Sequence, residues 1–314
     1  MQISNNPLVS VIIPNYNHAR YLGERIESVL QQTYQNFEVI ILDDCSPDGG
    51  ASKTVIEQYR EHPHVSNIIY NEENSGSTFK QWEKGISLAK GELVWIAESD
   101  DKCLPTLLDK LVGQFVKDEN LALAFCKTVA FDDNGKEERL DPIPLSKSKT
   151  FGSTEFISHH MIHGCPIINA SACLFKKEIA LRIDKLYNEF RGAGDRMFWT
   201  EISEFGDVAV VNEWLNYMRL HQSNSTKKYN HDGTNQREDK RVLDYIHDKG
   251  YISAKIYQEL KHHYVKIHIF EMLTDKDLKK DLYAEWEFNK WNQFCLRLEA
   301  WFHKIIISKY SSFY

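Results

Sequence analysis

Apolar residues recur along the first hundred positions in two alternating registers. Residues 8–13 form a short run rich in Val and Ile, closed by Pro14, the pattern of a buried strand. Leu22, Ile26, Val29 and Leu30 follow at the spacing of one helical face. Residues 37–42 (FEVIIL) repeat the strand pattern, Val55, Ile56 and Tyr59 mark a second helix, and residues 68–70 a third strand. Phe79, Trp82, Ile86 and Ala89 make another helical stripe before the strand-like run at 93–97. Repeated βα units of this length predict an α/β fold, a mostly parallel sheet flanked by helices.

The pattern changes after residue 121. Residues 121–131 and 171–176 read as strands with a turn at Asp133-Asn134-Gly135, 195–204 as a helix stopped by Gly206, and 207–211 as another short strand. Residues 222–235 are polar without apolar periodicity and read as a linker. Beyond them Val242, Leu243 and Ile246, then Ile252, Ile256, Leu260, Ile267 and Phe270, then Trp291, Phe294, Cys295, Leu298, Trp301, Phe302 and Ile305 give helical stripes. The expected organisation is a catalytic-size domain over 1–225 and a C-terminal α-helical annex over 226–314.

Composition narrows the class. Of 314 residues 42% are hydrophobic and 26% charged, which suits a folded globular chain. The net charge of −7 argues against a general nucleic-acid binder. The annex is the exception, with 16 Lys and Arg against 13 Asp and Glu from residue 227 onward. Cys45, Cys103, Cys126, Cys165, Cys173 and Cys295 show no CxxC pair, so a reduced, cytoplasmic setting is expected. No apolar run is long enough for a membrane span, and no secretory signal opens the chain.

Ligands in open α/β sheets sit outside the carboxyl ends of the strands. Polar clusters fall there: Pro14-Asn15-Tyr16-Asn17, Asp43-Asp44-Cys45-Ser46 and Glu98-Ser99-Asp100-Asp101. Adjacent carboxylates repel unless a positive group lies between them, and a hard divalent cation, Mn²⁺ or Mg²⁺, is a natural counter-ion. Such a cation suits a diphosphate, and the chain has neither a GxxxxGK[ST] loop nor a GxGxxG after a strand to cradle phosphate otherwise.

VSVIIPNYN at 9–17, FEVIILDDCSPDG at 37–49, NEENSG at 71–76 and KGELVWIAESDD at 90–101, in this order, resemble family 2 glycosyltransferases of the GT-A (Rossmann-like) fold. The resemblance covers about residues 7–225. It implies inverting transfer of a sugar from a nucleotide diphosphate, UDP by family habit, with a divalent metal. By position it places Pro14, Asn15 and Tyr16 at the base with Asp44 hydrogen-bonding it, and Lys80 where the family often has an arginine. Asp100 and Asp101 correspond to the motif that touches ribose and holds the metal, with Glu98 a third candidate. Three positions depart from the family's habit: Glu98 stands where Asp is commonest, Cys45 where glycine is usual, and Gly194 where a Glu usually precedes the base.

Inversion needs a base opposite the leaving group, and a carboxylate is already ionised at neutral pH. In the family it opens a helix after a glycine-bearing loop, which Asp195 does here; an N-cap role fits the same position. Glu201 and Glu204 read as helix-surface residues. Arg219 and His221 match an Arg-x-His, with His221 a metal or diphosphate ligand and Arg219 its support. Asn169 and Ser171 fall on the acceptor side, where a saccharide or lipid-linked acceptor of bacterial surface polysaccharide or lipopolysaccharide assembly would sit. The annex's basic, aromatic-rich end suits packing on the protein or a second subunit (a homodimer), or contact with the inner face of a membrane. Two other functions use the same residues: a non-catalytic nucleotide-sugar-binding protein, and a metal-dependent nucleotidyl or phosphoryl transferase.

Overall fold

A computed structural model describes residues 3–221 and 229–298. The chain forms two compact units, Met1–Asn224 and Ser225–Tyr314. The first is built on a ten-stranded sheet in the order β3-β2-β1-β4-β9-β6-β10-β5, with β7 on β6 and β8 on β10. The strands are β1 Val9–Asn15, β2 Phe37–Asp43, β3 Val65–Tyr70, β4 Leu93–Ile96, β5 Lys102–Cys103, β6 Leu121–Asp132, β7 Glu137–Leu140, β8 Lys149–Phe151, β9 Cys173–Lys176 and β10 Asp207–Leu220. Helices α1 Ala19–Leu30, α2 Ala51–Glu57, α3 Thr78–Leu88, α4 Leu107–Lys117, α5 Ser153–His159, α6 Lys177–Ala180 and α7 Gly194–Ser203 flank it.

The expected α/β architecture is present, with one refinement. β1 is parallel to β2 and β4, β2 to β3, and β10 to β6, but β9 runs antiparallel between β4 and β6. The sheet is therefore mixed beyond β4. The central strands β1, β2 and β4 are buried along their whole length, which is why they read as continuous apolar runs. Trp95 is fully buried at the middle of this core and donates from Nε1 to the Ser171 carbonyl at 2.8 Å.

β10 is the larger surprise. The apolar pattern stops at Val211, yet the strand runs on to Leu220 across irregularities between Val211 and Trp214 and between Trp214 and Asn216. Asn212, Glu213 and Asn216 break the alternation. The parallel ladder to β6 carries the strand through them.

In the second unit Val242, Leu243 and Ile246 are the buried face of helix Thr234–Asp248. Trp286 stacks on Tyr264 with ring centroids 4.5 Å apart. Trp291, Phe294 and Leu298 are exposed, while Trp301, Phe302 and Ile305, like linker residues 222–228, lie outside the described residues. Among the described residues no helix is long and apolar enough to cross a membrane.

Candidate active site

The parallel strands β1, β2 and β4 end side by side, so their polar carboxyl termini share one edge of the sheet. Asn15 stands opposite Asp43 in register, and its Nδ2 donates to Asp43 Oδ1 at 2.7 Å and to Ser52 Oγ at 2.9 Å. Pro14 and Asn15 are buried, whereas Tyr16 is 47% exposed. Of the three positions expected at a base, Tyr16 alone offers its ring outward; the other two shape the strand end.

Asp44, expected to hydrogen-bond the base, is buried with both carboxylate oxygens accepting protein hydrogen bonds. Its Oδ1 accepts from Asn71 Nδ2 at 2.6 Å, Gln81 Nε2 at 2.8 Å and the Ser75 N–H at 3.0 Å. Its Oδ2 accepts from Ser75 Oγ at 2.7 Å and Asn74 Nδ2 at 3.0 Å. A buried carboxylate needs such donors, and their effect here is to pin the NEENSG loop to the end of β2. Lys80 is exposed, with Nζ donating to the Ser75 carbonyl at 3.2 Å.

The loop after β4 is fixed from three sides. Arg25 Nε donates to the Glu98 carbonyl at 2.8 Å, the Glu98 N–H donates to Ser171 Oγ at 3.0 Å, and Trp82 Nε1 donates to Glu98 Oε1 at 2.9 Å. Glu98 thus braces the loop against α3 through its carboxyl. Burial, then the charges of Asp100 and Asp101, pushes that carboxyl up to about 8, so it is mostly protonated at neutral pH.

Asp101, expected to hold metal, is turned inward and is 1% exposed. Its Oδ1 accepts from the Arg219 N–H at 3.0 Å, and its Oδ2 from Asn169 Nδ2 at 2.6 Å and Ser171 Oγ at 2.7 Å. Arg25 Nη2 lies 3.7 Å from the same oxygen, with both side chains buried. Burial followed by the Asp100 charge raises the Asp101 carboxyl to about 6. Asn169 and Ser171, expected on the acceptor side, therefore spend their side chains on Asp101. The reason is local: this carboxylate sits beneath the loop and requires donors there.

Asp100 points the other way. His221 Nε2 lies 2.8 Å from Asp100 Oδ2, and His18 brings a second imidazole, its ring 5.5 Å from that of His221 in an edge-on arrangement. One ligand atom from each of His18, Asp100 and His221 falls within 4.8 Å of the others. Burial would raise the Asp100 carboxyl, but the His221 hydrogen bond and the charges of the two histidines outweigh it and the group is held below its ordinary value. Burial also lowers His18, favouring the neutral ring.

The extension of β10 makes this convergence. Asn216 and Tyr217 pair with Cys103 and Lys102 of β5, immediately after Asp101, so the strand end passes along the acidic loop. Arg219 then clamps it: Nε donates to the Asp100 carbonyl at 3.0 Å, and the guanidinium reaches Asp133 and Glu24. Sequence reading named Asp100 and His221 as candidates and did not name His18 beside them. The only signal was its place two residues beyond Tyr16, in a loop already assigned to ligand.

The profile of glycosyl transferase family 2 matches residues 10–179, more than half of the chain. The chain belongs to that family. TuaG of Bacillus subtilis, whose name assigns it to teichuronic acid biosynthesis, is 37% identical over 119 residues, 38% of this chain and 46% of that protein. An uncharacterized glycosyltransferase of Haemophilus influenzae is 27% identical over 247 residues, 77% of this chain and 76% of its own length. In fold the family member resembles TarS of S. aureus (TM-score 0.65, 17% identity, 90% of this chain and 50% of that one). It also resembles the mannosyltransferase PcManGT of Pyrobaculum calidifontis, solved with GDP-Man and Mn²⁺ (TM-score 0.60, 15% identity, 94% and 79% of the two chains).

Two departures from the family's habit have physical reasons in this family 2 chain. A Cβ on Gly194 would lie 2.4 Å from the Phe79 ring, so no side chain fits where a Glu is usual. Cys45 adopts φ +58°, the left-handed region that glycine enters without strain. Gly194 opens α7 against Phe79, whose ring meets Trp82 edge-on, and Trp82 in turn holds Glu98. Asp195 lies in the first turn of α7, half-buried, accepting the Arg196 N–H at 2.7 Å. Glu201, six residues on, is 1% exposed and not a surface residue: it accepts the Leu186 N–H at 3.2 Å, and burial raises its carboxyl to about 7.

Proposed function

We propose that the protein is an inverting glycosyltransferase that moves a sugar from a nucleotide diphosphate to an acceptor hydroxyl. The observation that carries this reading is the convergence of Asp100, His221 and His18 at the carboxyl edge of a sheet in a family 2 chain. A carboxylate flanked by two imidazoles fits a divalent cation by donor chemistry. Asp100 and His221 would hold it. When bound, such a cation neutralises charge growing on a departing diphosphate.

The rest falls to the chain's own groups. Tyr16 and Lys80, both exposed beside the ends of β1 and β2, bind the base and ribose side of the donor. Asp44 and Asn15 act behind them, holding the loops that shape that surface. Asp195 takes the acceptor's proton from its place in the first turn of α7, where the helix dipole favours a negative charge. UDP is the favoured nucleotide: a TarS structure holds UDP and another UDP-GlcNAc, and these are the donor types to try first. Surface-polysaccharide assembly is the favoured setting, in keeping with TuaG's name.

Purified protein incubated with a panel of NDP-sugars, Mn²⁺ and a polysaccharide or lipid-linked acceptor should release free NDP and give a product of inverted anomeric configuration. Asp195→Asn should lower turnover at least ~10²-fold. Release of pyrophosphate, or full activity in the Asn variant, would overturn the assignment.

A further inference from the structure

We propose that His18 completes a two-imidazole, one-carboxylate cation site with Asp100 and His221. The inference rests on the transferase reading above for the site's purpose, but on geometry for its donor set. Three separate segments supply one ligand each: the loop before α1, the loop after β4 and the residue after β10. All three residues are partly exposed, so a cation can reach them.

The neighbouring carboxylates make other contacts. Both oxygens of Asp101 accept protein hydrogen bonds, and the residue is buried. Glu98 Oε1 is held by Trp82 Nε1. One carboxylate, that of Asp100, is left beside two imidazole rings. Imidazole nitrogen beside a carboxylate is a donor set for a divalent transition cation, and Mn²⁺ serves as its spectroscopic probe. The His18 ring is held in place: its Nδ1 lies 2.9 Å from Ser99 Oγ.

The test uses full-length protein stripped with EDTA and needs no sugar turnover. Mn²⁺ is titrated in and followed by electron paramagnetic resonance, with pulsed measurements counting imidazole nitrogens coupled to the bound ion. Two coupled imidazoles are expected in the wild type and one in His18→Gln, with affinity in that variant weakened at least ~10-fold. His159→Ala, on an exposed histidine of α5, should change neither.

A single coupled imidazole in the wild type, or His18→Gln affinity within about twofold of wild type, would overturn the proposal. If His18→Gln does not fold, the wild-type nitrogen count decides alone. Two coupled imidazoles in a protein that releases no NDP would refute the transferase reading and leave the cation site standing.

Discussion

His221 Nε2 lies 2.8 Å from Asp100 Oδ2, joining the end of β10 to the loop after β4 across 121 positions of sequence. The contact holds Asp100 beside the two histidines while Asp101 is turned inward. Asp100→Asn or His221→Ala should therefore lower kcat/KM by at least ~10²-fold. Steady-state NDP release checks this, with thermal melting of the metal-free variants shifting little because neither side chain supports the core.

Asp101 should behave as a stability residue. Its carboxylate is the ionic partner of Arg25, a fully buried guanidinium whose two terminal nitrogens have no hydrogen-bond partner. Asp101→Ala leaves that charge uncompensated and should cost about 3–5 kcal/mol in urea unfolding. An Asp101→Ala protein as stable as wild type would remove the structural role assigned to it.

Gly194→Ala tests the packing that seats Asp195. The added methyl meets Phe79, an edge-on neighbour of Trp82, with no solvent into which to move. Overpacking of this kind costs about 1–3 kcal/mol. The expected result is a lower unfolding midpoint together with a lower kcat, since the helix start must shift.

Glu201 gives the first unit a pH dependence. The folded state holds its proton up to about 7, while the ordinary value of 4.5 describes the unfolded chain. The native state thus binds more protons between these limits, and stability falls as pH rises through that window. Glu201→Gln should reduce the slope, stabilising the protein at pH 8 by up to about 3 kcal/mol and leaving it near wild type at pH 4.5, with the raised carboxyls of Glu98 and Asp101 supplying the remainder. Denaturation midpoints across pH 4.5–8 would show it.

Cys45 sits at φ +58° directly after Asp44. Replacing it with glycine relieves left-handed strain but adds unfolded-chain entropy, so the net gain should reach only about 1 kcal/mol. Urea unfolding of Cys45→Gly measures it, and a loss of stability would place the value of the thiol in its contact with the Glu72 carbonyl at 3.4 Å.

The sequence by itself determined the parallel half of the sheet, because strands buried on both faces must be continuous apolar runs and their loop ends must be polar. It also singled out Asp100, Asp195 and His221 as candidates, through motifs local to a loop or a helix start. It could not assign direction to carboxylates that are neighbours in the chain. Whether Asp100 or Asp101 faces outward depends on Asn169, Ser171 and the backbone of Arg219, which arrive from 68 to 118 positions away. Nor could it find His18, which gains meaning only beside His221. Those choices belong to the tertiary structure, because a buried carboxylate goes where donors are, and donors from distant segments have no periodicity to betray them.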